Sequence, residues 1–472
     1  MKRLTLVIAG ALLSILPGMA VGQTEAPSAD RALARDILRE LIEINTTDSL
    51  GNTPRAARAM ARRLVAAGFP AADVRVLIGP DAKHGNLVAR YRGTGTGGRP
   101  IIGFAHLDVV PARRADWSVD PFTFLEKDGY FYGRGSSDDK VGDAILVADF
   151  IRLKRARFKP QRDLIIVLTG DEETDGSCIA WLVSQHRDLI DGEFALNTDA
   201  GGGVLRDGRR VMFTVQASEK VYATYAFEAT DKGGHSSLPR PADNPVYRLA
   251  PVIERLAAYQ FPVKLNEVSR GFFDRSATLE TGALAEDMRG VLKDPPDSAA
   301  VAHLSAVPFY NSKLRTTCVA TMMAAGHAEN ALPQSARVTV NCRILPGEPA
   351  AEVATTLRRL AGDDRIALRT VYVPIPSPPS PLTPAIMGPL ERLVAEQFPN
   401  VPIVPVMEAG ATDGLFLRNA GIPTYGVSAV FEEQNDVRAH GRDERLRVQS
   451  FYEALEFWYR MMQAYASDRL TP

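Results

Sequence analysis

Two kinds of apolar pattern alternate from Asp30 to about Val215. Over Arg31–Ile44 and Thr53–Ala67 apolar residues recur every three or four positions, and Val141–Leu153 and Ile179–Leu189 follow the same rule; these segments predict helices. Between them, Ile101–Ala105, Leu164–Leu168 and Phe194–Asn197 are short, unbroken apolar runs that end in polar residues. A strand reads as an unbroken apolar run when both of its faces are covered. The alternation therefore predicts an α/β fold around a mostly parallel sheet. Ligands bind such sheets beyond the carboxyl ends of the strands, so the polar residues after each run are the place to look for chemistry.

The pattern changes after Val215. Val221–Thr230 alternates like a strand with one exposed face, and Asn244–Tyr259 predicts a helix with Pro245 suitably near its start. Phe261–Ala306 is weakly patterned. Thr316–Ala324 and Arg337–Leu345 predict strands, Glu348–Ala361 a helix and Ile366–Val373 a strand. This small α+β unit ends at PIPSPPSPLTP, Pro374–Pro384, where the prolines exclude helix and central strand and predict a stiff linker. Ala385–Gln397 is helical, and the α/β pattern then resumes. The organisation predicted is one α/β domain, residues 30–215 and 380–472, interrupted by an inserted α+β domain, residues 216–379. No internal repeat is visible, and GTGTGG, Gly93–Gly98, precedes a strand, as a hairpin turn does, and not a helix, as a phosphate loop does.

Composition narrows the partners. Apolar residues are 45%, charged residues 24% and the formal net charge is -1, so the chain is ordinary globular material with no basic excess for nucleic acid. Lys2 and Arg3, the apolar run Leu4–Leu16 and the small residues around Ala20-Val21-Gly22 predict a secretory signal peptide over residues 1–22. Its removal would leave an exported protein, periplasmic or secreted. No other run approaches the ~20 apolar residues of a membrane span, so no stable membrane insertion is expected. The three cysteines, Cys178, Cys318 and Cys342, are too few for a disulfide scaffold, and the chain has no C-x-x-C for a thiolate metal site. Cys318 and Cys342 fall on neighbouring predicted strands. They can pair in an oxidising compartment or remain buried free thiols, and the sequence leaves both open.

Acid and histidine residues gather at strand ends and glycine turns. FAHLDVVP sets His106 after a strand with Asp108 two residues on; YGRGSSDDK sets Asp138 and Asp139 after two turn glycines; ALNTDAGGG sets Asp199 at a strand end. LTGDEETDG, Leu168–Gly176, runs a strand straight into Asp171, Glu172 and Glu173, and DVRAHGRDERL adds His440 near the C-terminus. Any one of these alone is an ordinary solvated or capping loop residue. Together they would meet at one rim of the sheet. Three adjacent carboxylates at a buried strand end are costly without a positive charge among them. Imidazole and carboxylate are ligands for Zn²⁺ and similar ions. The charges of Asp138, Glu173 and Asp199 plus one hydroxide balance two divalent cations.

The ordered motifs HLDVVP, YGRGSSDDK, TGDEETDG, KGGHSS and AHGRDER resemble those of the M20 metallopeptidase family, and the resemblance covers essentially the whole chain after the signal segment. Its G-R-G-x-x-D-D-K form is most similar to the carboxypeptidase S and N-acyl-amino-acid hydrolase branch. The resemblance implies a di-metal catalytic domain with an inserted lid and dimerisation domain. It implies that His106 and Asp199 hold one zinc, that Glu173 and His440 hold the other, and that Asp138 bridges them. Asp108 would accept a hydrogen bond from His106 and fix its tautomer. Glu172 would be the general acid/base, taking the proton of a metal-activated water and passing it to the leaving nitrogen. His235 would reach the partner subunit's active site and stabilise the oxyanion. Asn330, Arg343, Gly410 and Thr412 would contact substrate, Arg343 by pairing with a carboxylate. Cobalt or manganese suits the same ligands as zinc.

The implied activity is hydrolysis of an amide bond beside a residue with a free carboxylate, in a small peptide or an N-acyl amino acid, by a homodimer. Ala105, where glycine often precedes the first histidine, and N-T-D-A-G around Asp199 are small departures from the family pattern. The alternative is a binding protein that keeps the fold without turnover; it predicts a missing ligand or base, and none is missing. A serine hydrolase is disfavoured by the lack of any G-x-S-x-G.

Overall fold

The computed structural model describes residues 25–467, so the expected signal peptide lies outside the described residues. A ten-stranded sheet forms the larger unit. At its centre Ile101–His106 pairs in parallel with Leu164–Thr169 on one side and Phe194–Asn197 on the other. These strands are unbroken apolar runs because both faces are covered. Ile101, Ala105, Leu164, Ile166 and Leu168 pack into a core with Phe150 and Trp458, from helices Lys140–Arg155 and Val448–Ser467. Ile102, Phe104, Ile165 and Val167 point the other way, against Ile179 and Leu182 of helix Ser177–Gln185 and Leu417 of helix Gly414–Asn419. The register pairs His106 with Thr169 and Phe104 with Asn197, so the three strands end on one rim. The outer strands include antiparallel pairs, as where Gly202–Arg206 joins Arg209–Glu219.

Arg209–Glu219 runs across the expected boundary at residue 215 and belongs to this sheet, pairing with Ile403–Glu408. One residue later, Val221–Thr230 begins a separate four-stranded sheet with Ser335–Ile344, Thr317–Ala325 and Ala367–Tyr372, antiparallel throughout. Helices Pro245–Ala258 and Ala350–Ala361 cover one face of it through Leu249, Val252, Val353 and Leu357. Its edge strand Thr317–Ala325 leaves Val319, Met322 and Met323 exposed. Cys318 lies opposite Cys342 in the register and forms a disulfide with it, which decides the alternative that the sequence left open.

The weakly patterned stretch is helical. Glu267–Ser276, Gly282–Gly290, Ser298–Ser305 and Pro308–Leu314 are too short for a clear period, the longest having 10 residues. They pack on the larger unit: Phe272, Phe273, Met288 and Leu314 form a core with Val404 and Val406 of strand Ile403–Glu408. Among the described residues, no helix is long and apolar enough to cross a membrane.

Candidate active site

The rim of the central sheet gathers the predicted acids and histidines. His106 ends its strand with only 2% exposure. Its Nδ1 lies 3.0 Å from the backbone carbonyl of Asp108, which can only accept, so the proton sits on Nδ1 and Nε2 presents its lone pair to the rim. The expected partner was the Asp108 carboxylate, which lies 3.6 Å from Nδ1. That carboxylate accepts the backbone amides of Glu172 and Glu173 at 3.1 and 3.0 Å. Asp108 thus shapes the glutamate turn as well as orienting the imidazole.

Asp138 stands between the two histidines. One oxygen is 3.0 Å from His106 Nε2 and the other 3.1 Å from His440 Nε2. His440 Nε2 is also 3.0 Å from Glu173 Oε1. On the other side, His106 Nε2 is 3.7 Å from Asp199 Oδ1 and 4.0 Å from Glu172 Oε2. Donor atoms of His106, Asp138 and Glu173 lie within 4.8 Å of one another, as do those of His106, Glu172 and Asp199. A carboxylate with one oxygen toward each histidine has the form of a bridge between two cation positions.

The electrostatics point the same way. Burial, reinforced by the charge of Asp199, pushes the Glu172 carboxyl well above the ordinary range. Burial also raises Asp199, with Asp138 and Glu173 adding repulsion and His106 opposing it. Hydrogen bonds to Asp138 and Glu173 lift His440 to about 10. Burial works against a charged His106, but its acid neighbours outweigh that and raise it. The cluster is over-supplied with negative charge, and its donors are the imidazole and carboxylate types that divalent cations take. It fits a pair of such ions.

The support of this cluster lies partly in residues that the motif reading passed over. Glu444, four residues after His440, is fully buried. One of its oxygens is 2.6 Å from Arg134 Nη1; the other accepts the amides of Ser137 and Asp138 at 2.8 and 3.2 Å. It fixes the loop that carries Asp138. The AHGRDER motif contained the signal, but only folding pairs it with the Arg134 loop. Asp171 accepts from Ser177 Oγ and the Cys178 amide, closing the turn, while Asp175 accepts the Ser177 amide at the start of the next helix.

A cavity of about 1050 Å³ opens on the cluster. Asp138, Glu172, Glu173, Asp199 and His440 line it, together with Arg343, Gly410 and Thr412. Arg343 stacks over the Tyr222 ring at 4.6 Å and donates to the Ala409 carbonyl at 3.2 Å. The Thr412 hydroxyl donates to Glu219 at 3.0 Å. Met212, Phe272, Met288, Phe309 and Tyr310 also line it, with Lys313 over the Phe272 and Phe309 rings at 5.3 and 4.8 Å and the Arg206–Glu280 ion pair in the same lining. His235 and Asn330 are not in this lining. His235 is exposed on a two-residue strand, paired with Ala331, and its Nδ1 meets Ser237 Oγ at 2.7 Å. The Asn330 carbonyl accepts the Ser236 amide nearby.

Known proteins resemble this chain in sequence and in fold. The model of "Peptidase family M20/M25/M40" matches residues 104–464. Human N-fatty-acyl-amino acid synthase/hydrolase PM20D1 is 29% identical over 389 residues, 79% of this chain and 75% of that protein. The probable carboxypeptidase S-like 2 of Dictyostelium discoideum is 28% identical over 390 residues, 80% of this chain and 74% of that protein. Among solved structures, the metallo-carboxypeptidase Sso-CP2 of Sulfolobus solfataricus superposes with a TM-score of 0.68 at 16% identity, over 92% of this chain and 99% of that chain. Human carnosine dipeptidase 1 superposes with a TM-score of 0.63 at 14% identity, over 93% and 97%.

Proposed function

The chain belongs to peptidase family M20/M25/M40, and from that premise we propose that it is an exported di-zinc hydrolase of N-acyl amino acids with bulky apolar acyl groups. The observation that carries this reading is the single cavity in which the metal cluster, Arg343 and a wall of Phe272, Met288, Phe309 and Tyr310 meet. The cation suits a free α-carboxylate, and the apolar side chains of that wall suit an acyl chain. A short dipeptide would leave that wall unused.

His106 and Asp199 would hold one metal and Glu173 and His440 the other, with Asp138 placed between the two histidines. When bound, the pair supplies Lewis acidity, lowering the pKa of water and polarising a carbonyl. The chain's own residues do the rest. Glu172 is held beside the cluster by a turn whose amides are fixed on Asp108, placed to accept a proton and then deliver it to the leaving nitrogen. Arg343 orients the carboxylate end.

The inserted unit acts as lid and dimer interface. The exposed Val319, Met322 and Met323 on its edge strand support this, and so does the position of His235 outside its own chain's cavity. In the dimer, His235 of the partner subunit stabilises the oxyanion. Mixing inactive Glu172→Gln and His235→Ala proteins tests this: subunit exchange should restore about a quarter of wild-type activity, because half of the dimers regain one complete site. No recovery despite exchange would refute it.

A panel of N-acetyl, N-octanoyl and N-oleoyl amino acids and dipeptides tests the substrate reading. Each buried methylene contributes about 0.8 kcal/mol, so kcat/KM should rise by more than tenfold from acetyl to octanoyl. A flat dependence on acyl length, or activity that survives thorough chelation, would overturn it.

A further inference from the structure

Glu219 and Lys220 stand where the strand Arg209–Glu219 hands the chain to the inserted sheet at Val221. They are consecutive, oppositely charged and buried, at 0% and 1% exposure. Through Oε1, Glu219 accepts from Ser377 Oγ at 2.9 Å and pairs with Arg418 Nη1 at 2.8 Å. Through Oε2 it accepts from Gln216 Nε2 and Thr412 Oγ1, both at 3.0 Å. Lys220 Nζ donates to the Arg315 carbonyl at 2.7 Å, and its backbone amide donates to the Glu408 carbonyl at 2.9 Å.

Gln216 and Arg418 belong to the larger unit, but the other four partners sit at junctions or at the cavity loop. Ser377 lies in the linker by which the chain returns from the inserted sheet. Arg315 lies where the chain leaves the short helices for the strand Thr317–Ala325. Glu408 and Thr412 bracket the loop that walls the reaction cavity. Three of the four passages between the larger unit and the inserted sheet, at residues 219–221, 314–317 and 373–380, therefore meet on two adjacent side chains, while the fourth, between Ala258 and Glu267, supplies none of the partners named. A buried carboxylate needs its lone pairs satisfied, but nothing requires that they be satisfied from several separate segments. Arg343, donating to Ala409, brings the inserted sheet onto the same loop.

We propose that Glu219 and Lys220 form a pin that registers the inserted unit against the metal-bearing unit, and that Glu219 is a positioning residue for the loop 408–413. The catalytic consequence rests on the hydrolase reading above; the geometric consequence does not.

The test uses the full chain carrying spin labels at Arg58→Cys in the larger unit and Glu352→Cys in the inserted unit, diluted into unlabelled protein. Glu219→Gln keeps the side-chain volume and removes the charge. It should broaden or shift the distance distribution and raise KM for the best N-acyl substrate by at least about tenfold, because small misplacements at a reaction site have large effects. Metal content should stay at the wild-type level. Ser377→Ala removes one bond to Glu219 and one acceptor of Arg418, at a cavity-lining residue outside the loop 408–413; it should broaden the distance distribution, and that distribution, not KM, decides the matter if Glu219→Gln does not fold. A lowered melting temperature with wild-type distances and KM would show an ordinary structural ion pair and overturn the proposal. If the wild type cleaves no substrate in the panel, the functional reading fails, and the distance distributions alone decide the pin.

Discussion

Replacing Glu444 with Gln tests how a residue that touches no metal controls the metal site. The carboxylate is fully buried, with one oxygen on Arg134 and the other on the amides of Ser137 and Asp138 and the Ser137 hydroxyl. Glutamine keeps the shape, but its amide must turn two N–H donors either toward the guanidinium or toward the loop amides. In both orientations donor meets donor. Arg134, itself 2% exposed, keeps only the Gly441 carbonyl and the Trp117 ring. Breaking one partner of a buried ion pair costs about 3–5 kcal/mol. Loosening the segment that carries Asp138 should also weaken metal binding by roughly 10–100-fold, the usual scale for residues that orient ligands. Urea unfolding and metal competition against a chelating dye measure the two effects. A double replacement, Arg134→Met with Glu444→Met, should be less destabilising than the sum of the single changes, because it leaves no buried charge unpaired. Stability within about 0.5 kcal/mol of wild type for Glu444→Gln, the range of an ordinary surface substitution, together with unchanged metal affinity would refute the reasoning.

Glu172→Gln should retain metal and fold while kcat falls by roughly 10²–10⁴, the range for loss of a general acid/base; near-normal turnover would remove Glu172 from the mechanism. Protons compete with metal at His440, so metal affinity should weaken as pH falls from 8 to 6, as read by chelator competition. In chelator-treated protein His440 is held up to about 10 by Asp138 and Glu173, above the ~6.5 of an unfolded histidine. Its contribution to stability is therefore complete below that lower value and is lost as pH rises toward the upper one, and His440→Gln should flatten this slope in urea midpoints measured across the window. Removing the Cys318–Cys342 bond by a double change to Ala should destabilise the inserted sheet by about 3 kcal/mol, since it closes a loop of 24 residues, and hydrogen exchange should localise the loss to Thr317–Ala325.

The larger unit was legible because its signals are local. Ile101–His106 and Leu164–Thr169 announce themselves as strands covered on both faces, and a parallel strand delivers the next polar residue to the rim whatever the rest of the chain does. His106, Glu172, Glu173 and Asp199 could be singled out for that reason, whereas Asp138 and His440 lie in loops and were singled out from the ordered motifs, whose resemblance to the M20 family supplied the grouping. The four short helices between Glu267 and Leu314 were not legible, because helices of 7–10 residues complete too few turns to show a period. Yet they supply Phe272, Met288, Phe309 and Tyr310 of the cavity lining, on which the proposed acyl preference rests. Folding also decided that the carbonyl of Asp108 accepts the hydrogen bond from His106 Nδ1 while its carboxylate holds the glutamate turn, and that Cys318 and Cys342 bond.

The sequence by itself placed acids and histidines at strand ends and turns, since periodicity is a property of neighbouring residues, and its resemblance to the M20 family proposed which of them form the donor set. Only the tertiary structure decided what holds that set in register. Arg134 and Glu444 are 310 residues apart, and Glu219 and Thr412 are 193 apart. Such pairs share no period or motif, and the low dielectric that makes them matter exists only once the chain has closed around them.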